Sequence, residues 1–222
     1  MKIILFPFSG GDRHSYRKVY PHFPAELEII EHEYPGRGLR YEEPFLNTIS
    51  EIVEDAYVRL KNHFTDGDYC FYGHSLGALV AFLMCKKIQN VNGKPPLKLF
   101  VSGRVAPSVQ LRGSWFDLTE DDFLERVSRL GALPKEILDR KKLRDFYLPV
   151  LRSDFKIYES FVYEEGNVLS VPIDVFYGTE DVESVASVHL WERESSSLTR
   201  VFGFPGNHFF IFNEFDKIAA CI

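Results

Sequence analysis

Apolar positions along the chain follow two rhythms. Short continuous or alternating runs at Lys2–Pro7, Glu28–Tyr34, Tyr69–Tyr72, Leu97–Ser102, Ile173–Tyr177 and Leu198–Phe204 predict strands. Turn residues close the first two, Gly10-Gly11 and Pro35-Gly36-Arg37-Gly38. Between the runs the spacing becomes helical. Ile49, Ile52, Val53, Ala56, Tyr57 and Leu60 share one face of a helix predicted over Thr48–Phe64, with Thr48 or Asn47 as cap and Glu51 placed for a capping box. Leu76–Gln89 is apolar on most sides, as a buried helix is. Asn213–Cys221 predicts a closing helix.

The rhythm breaks between Pro107 and about Val168, where only helical signals occur. Thr119–Leu130 opens on an acidic turn that suits a helix N-terminus. Pro134–Asp139 and Lys141–Tyr147 predict short helices, and Leu148–Phe161 another with Pro149 in its first turn. Strands alternating with helices imply a mostly parallel sheet covered on both faces. An all-helical block between two strands is too long for a simple connection. It predicts an inserted lid, about 107–168, over the carboxyl edge of the sheet, where ligands bind in such folds. The length of 222 residues fits one domain spanning 1–222.

Composition narrows the function classes. Apolar residues form 45% and charged residues 26%, as in an ordinary globular chain, and the net charge of −6 argues against general nucleic-acid binding. No stretch reaches the roughly 18 apolar residues of a membrane helix, and the N-terminal run is too short for a signal peptide. Cys70, Cys85 and Cys221 form no CxxC pair and have no histidine cluster beside them. A disulfide framework and a metal site are therefore not expected, and reduced thiols suit a cytoplasmic protein.

Gly73-His74-Ser75-Leu76-Gly77 carries the chemistry. It is G-x-S-x-G between a predicted strand and a predicted helix, the setting of a nucleophile elbow in the α/β-hydrolase fold. Ser75 is the expected nucleophile, and the Leu76 amide, at the start of the helix, is the expected first oxyanion donor. A serine needs a base, and the order along the chain in this fold is Ser, acid, His. His208, in Pro205-Gly206-Asn207-His208, follows the last predicted strand and is the expected base. His189 is the other histidine after the elbow, in an amphipathic stretch. His74 is expected to pack beneath the elbow.

The acid is expected just past Ile173–Tyr177, at Asp181, with Glu180 or Glu183 as substitutes. Asp174 reads as structural, and Asp154 as a salt-bridge or helix partner within the lid. The second oxyanion amide is expected from Pro7-Phe8-Ser9-Gly10-Gly11, at Ser9 first and Phe8 next, unless the segment is a plain turn.

Across nearly its whole length the sequence resembles the type II thioesterases that accompany modular nonribosomal peptide and polyketide synthases. The resemblance rests on FPFSGG, EYPGRGLR, YGHSLGALVAF, LFVSGRVAP, RLGALPKEILD, LPVLRSDFKIYESF, FYGTEDV and GFPGNHFFIF, in that order. It implies that the triad falls on Ser75, Asp181 and His208, and the first-loop oxyanion residue on Ser9, where the family more often has Ala. A backbone donor makes that exchange harmless.

The resemblance implies hydrolysis of acyl or aminoacyl thioesters from the phosphopantetheine arm of an acyl or peptidyl carrier protein. That activity clears stalled or misprimed synthase modules. No cofactor of the chain's own is expected, since the partner brings the phosphopantetheine, and a monomer is expected. The loop after Asp181 looks shortened, and the chain stops soon after its last helix begins, so a few terminal residues are expected to be absent. From Arg126 to Lys156 there are nine Lys/Arg against four Asp/Glu, net +5, a charge that suits an acidic partner. The other readings are a cyclising or acyl-transferring thioesterase, a general carboxylesterase, and a non-catalytic carrier-binding module. A strand that begins almost at Met1 favours a free-standing editor over a fused terminal domain.

Overall fold

The alternating pattern of β1 (Lys2–Phe6) decides how the layers form. Ile4 and Phe6 point to one face and Ile3 and Leu5 to the other, and all four are fully buried, so both faces must be covered. In the computed structural model, which describes residues 1–109, 114–115, 117–131 and 139–222, β1 lies inside a six-stranded sheet. The other strands are β2 (Glu28–Glu31), β3 (Tyr69–His74), β4 (Lys98–Ser102), β5 (Ile173–Gly178) and β6 (Thr199–Phe204). The order is β2-β1-β3-β4-β5-β6, and every pairing is parallel.

One face packs against α1 (Ile49–Leu60) and α2 (Leu76–Asn90), where Ile52, Ala56, Leu79 and Phe82 meet Ile4, Phe71, Leu99 and Val175. The opposite face is covered by a 3-10 turn at Arg17–His22 and by the C-terminal helix Ile211–Ala219. There Val19, Ile211, Phe215 and Ile218 meet Leu5, Tyr72, Phe100 and Phe176. The capping box of α1 forms as the sequence predicts: Thr48 Oγ1 accepts the Glu51 amide at 3.2 Å and Glu51 Oε2 accepts the Thr48 amide at 3.0 Å.

Between β4 and β5 run α3 (Glu120–Arg129), capped by Thr119, and α4 (Lys141–Glu159). They share a small core of Phe123, Leu124, Val127, Leu151 and Phe155. The sequence predicts two helices where α4 is one. Pro149 sits inside it, removing one backbone donor and crowding the preceding turn. Burial of Val150, Leu151, Phe155 and Ile157 immediately after the proline holds the turn in register. The helix predicted at Pro134–Asp139 lies, but for its last residue, outside the described residues.

After β5 comes α5 (Val182–Ser187), then a 3-10 segment at Val188–Glu194, neither predicted from the sequence. The closing helix, α6 (Ile211–Ala219), starts two residues before the predicted position. Among the described residues no helix is long and apolar enough to cross a membrane.

Candidate active site

The elbow is built from two close approaches. A Cβ at Gly73 would lie 2.1 Å from the Gly77 carbonyl oxygen, and one at Gly77 would lie 2.0 Å from that of Phe6. Only glycine lets β3, α2 and β1 converge here. The turn forces Ser75 to φ 55° and ψ −115°, a strained conformation for a residue with a side chain. Its amide donates to the Ser102 carbonyl at 2.9 Å, which fixes the turn to β4. Tyr16 braces it from below, accepting the His74 amide at 3.0 Å and donating to the Phe6 carbonyl at 2.8 Å.

His74 is fully buried, as expected of a residue packed beneath the turn. Its Nδ1 meets Ser102 Oγ at 2.9 Å, and its ring stands 5.0 Å from that of His208. Burial, and secondarily the neighbouring His208, push its pKa well down, so it is a neutral wall of the site.

β6 delivers His208. The loop after it is tied to the loop after β5, where Thr179 and Glu180 donate backbone bonds to Phe204 and Gly206 at 2.8 and 2.9 Å. This brings His208 Nδ1 to 2.8 Å from Asp181 Oδ2, which also accepts Ser184 Oγ at 2.8 Å. Burial pushes the Asp181 pKa up, but the bond and charge of His208 and the bonds from Ser184 outweigh it, leaving the carboxyl below its ordinary value. An ionised Asp181 can only accept, so His208 Nδ1 is the donor in this pair. Of the alternatives, Glu180 is exposed and gives its amide, not its carboxylate, to this corner, while the Glu183 side chain lies outside the described residues. His189 is exposed and lies in the 3-10 segment.

Ser75, Asp181, His208 and Ser9 line one cavity of about 300 Å³ at the carboxyl edge of the sheet. Leu76, fully buried, begins α2, where the first amides have no carbonyl a turn earlier. In the first loop the Gly10 amide is already engaged, donating to Asp154 Oδ2 at 2.7 Å, and the Gly11 amide bonds Phe8 at 2.9 Å. Asp154 comes from α4 and has no exposed surface. Arg37 grips it from the turn after β2 through two contacts of 2.6 Å, with a further bond of 3.1 Å from Arg37 to the Gly11 carbonyl. Asp154, expected to find its partner within the lid, pairs instead with Arg37 outside it, and so also holds the loop that carries Ser9.

Asp174 is structural as expected, paired with Arg200 and Lys98 on β6 and β4. Sequence reasoning passed over Ser184, whose only signal was its place three residues after Asp181. It also passed over Arg104 and Arg126, which line the same cavity.

Comparison with known proteins identifies the family. The family model described as "Thioesterase domain" matches residues 1–222. The chain is 30% identical to the medium-chain S-acyl fatty acid synthase thioesterase of Homo sapiens, covering 95% of this chain and 80% of that protein. It is 28% identical to the gramicidin S biosynthesis protein GrsT of Aneurinibacillus migulanus, covering 96% and 83%. The crystal structure of ClbQ from the colibactin NRPS/PKS pathway superposes with a TM-score of 0.92 at 28% identity, covering 99% of this chain and 94% of that one.

Proposed function

The chain belongs to the thioesterase domain family, a family of thioester hydrolases, and on that premise we propose that it removes acyl or aminoacyl groups from the phosphopantetheine arm of a carrier protein, using Ser75, His208 and Asp181. One observation carries the proposal: residues from three distant stretches of chain meet on a single cavity, with His208 already oriented by Asp181.

The steps follow from the atoms. His208 Nε2 takes the Ser75 proton as Oγ attacks the thioester carbonyl. Negative charge develops on the carbonyl oxygen, facing the Leu76 and Ser9 amides, where each donor is worth about 3–4 kcal/mol. Asp181 stabilises the imidazolium that forms, without taking its proton. The thiol leaves with the proton from His208. Water then attacks the acyl-enzyme, again with His208 as base, releasing the acid and free Ser75.

The insertion that carries α3 and α4 serves as a lid over this cavity, and the carrier docks against its basic residues. Editing of synthase modules fits the relatives named for gramicidin S and colibactin biosynthesis. The Ser75→Ala variant is expected to lose hydrolysis of a short acyl-pantetheine, followed by thiol release. Turnover at the wild-type rate would refute the mechanism.

A further inference from the structure

The helix α5 (Val182–Ser187) is turned the wrong way round for a surface helix. Such a helix ordinarily buries its apolar residues and gives its polar ones to water. Here Val182 is 80% exposed and Val185 42%, while Ser184 is only 2% exposed and Ser187 is buried as well. Both serines line the catalytic cavity. Apolar packing therefore does not decide which face of α5 points inward, and the polar contacts of that face must.

A buried hydroxyl needs a partner. Ser184 Oγ donates to Asp181 Oδ2 at 2.8 Å, the same oxygen that takes His208 Nδ1 at 2.8 Å. The backbone of Asp181 is fixed independently. Its amide donates to the Gly178 carbonyl at 3.0 Å, and its carbonyl accepts the Val185 amide at 2.9 Å. The side chain still has two bonds to turn about. Asp181 also stands at the N-cap of α5, where a carboxylate is drawn toward the helix's own first amides and away from an outside partner. Two donors converging on Oδ2, one from α5 and one from the loop after β6, oppose that drift. A hydroxyl donating to a carboxylate is a charge-assisted bond, stronger than one between neutral groups. Burial pushes the Asp181 carboxyl up, and Ser184, after His208, helps pull it below its ordinary value.

We propose that Ser184 is a positioning residue for the hydrolysis: its hydroxyl holds the Asp181 carboxylate in the rotamer that grips His208. Its own surface is almost closed off, so it acts through Asp181 and not on the substrate. The inference rests on the thioesterase reading and adds a member behind its triad. Without the hydroxyl, Asp181 turns away for part of the time, the imidazole loses its fixed orientation, and fewer molecules are poised for attack. Misplacing a catalytic group by about 1 Å costs up to about 10²-fold in rate.

The test uses the full chain, acetyl-pantetheine and the Ser184→Ala variant. Alanine is the better helix former, so the change does not weaken α5 itself. The expected result is a fall in kcat of about 10- to 100-fold, with KM within about twofold of wild type because substrate binding is untouched. In an Asp181→Asn background the same substitution should cost less than about twofold, since the group it positions is already disabled. A serine needed only for packing would cost the same factor in both backgrounds. Proton NMR reads the contact without turnover. The low-field Nδ1 proton of His208, assigned by its loss in His208→Gln, should be seen in the wild type and broadened away by exchange in Ser184→Ala. Wild-type kcat in Ser184→Ala, equal losses in the two backgrounds, or an unchanged Nδ1 signal would each overturn the proposal. A wild type that hydrolyses no thioester, with the Nδ1 signal still lost in Ser184→Ala, would sink the catalytic reading alone.

Discussion

Replacing Asp154 by Asn tests how the first loop is held. The carboxylate takes two contacts of 2.6 Å from Arg37 and one bond of 2.7 Å from the Gly10 amide, with no surface exposed. Asn keeps the shape and removes the charge, so the guanidinium of Arg37, 5% exposed, stays buried without its counter-ion. Breaking such a pair by altering one partner costs about 3–5 kcal/mol. For a chain of this size each kcal/mol shifts Tm by about 2–4 °C, so the expected fall is about 6–20 °C.

The same change loosens the segment that carries Ser9. Losing one oxyanion donor lowers kcat by about 10²–10³, which is the ceiling for the catalytic effect, and KM should change little. The decisive comparison adds the double variant Arg37→Met/Asp154→Leu. Replacing both members of the pair by apolar groups should recover most of the stability. It should not recover kcat, because the Gly10 amide still lacks its acceptor. The assay pairs thermal unfolding by circular dichroism with thiol release from an acyl-pantetheine. A single-variant Tm within about 2 °C of wild type, a change of about 0.5–1 kcal/mol, would refute the energetic argument. Full kcat in the double variant would refute the positioning argument.

The remaining expectations concern the triad and the lid. Asp181→Asn should lower kcat by about 10³–10⁴, since the amide no longer fixes the His208 tautomer; unchanged kcat would remove Asp181 from the mechanism. The folded-state pKa of Asp181 is depressed, so its stabilising contribution is present above the ordinary carboxylate value near pH 4 and is lost as pH falls through the folded value. The Tm difference between wild type and Asp181→Asn should accordingly shrink as pH is lowered below about 4, and a difference that grew with acid would contradict the sign. Reversing the charges of Lys141, Lys142 and Arg144 should slow turnover of carrier-bound substrate far more than of free acyl-pantetheine. The effect should weaken with salt, because exposed charges are screened. Two of these cations already face carboxylates, Lys141 at Asp145 and Arg144 at Glu120, so the loss should be several-fold rather than complete.

The sequence alone determined what depends on near neighbours along the chain. Six apolar runs and the helices between them follow from local periodicity, and so does the capping of α1 by Thr48 and Glu51. The elbow was legible because strand, glycines and serine must be contiguous to make that turn. Chain order then singled out His208 and Asp181, since the strands they follow set which loops reach the sheet edge. What tertiary structure decided depends on residues brought together from afar. The fusion of α4 through Pro149 needed the buried contacts of Leu151 and Phe155, which outweigh a local preference to break. The grip of Asp154 on Arg37 spans 117 positions of sequence, and no periodicity announces it. Arg104 lies in LFVSGRVAP, one of the stretches that carry the resemblance; only the surrounding walls show that its guanidinium is buried, because burial belongs to the folded solid and not to the string.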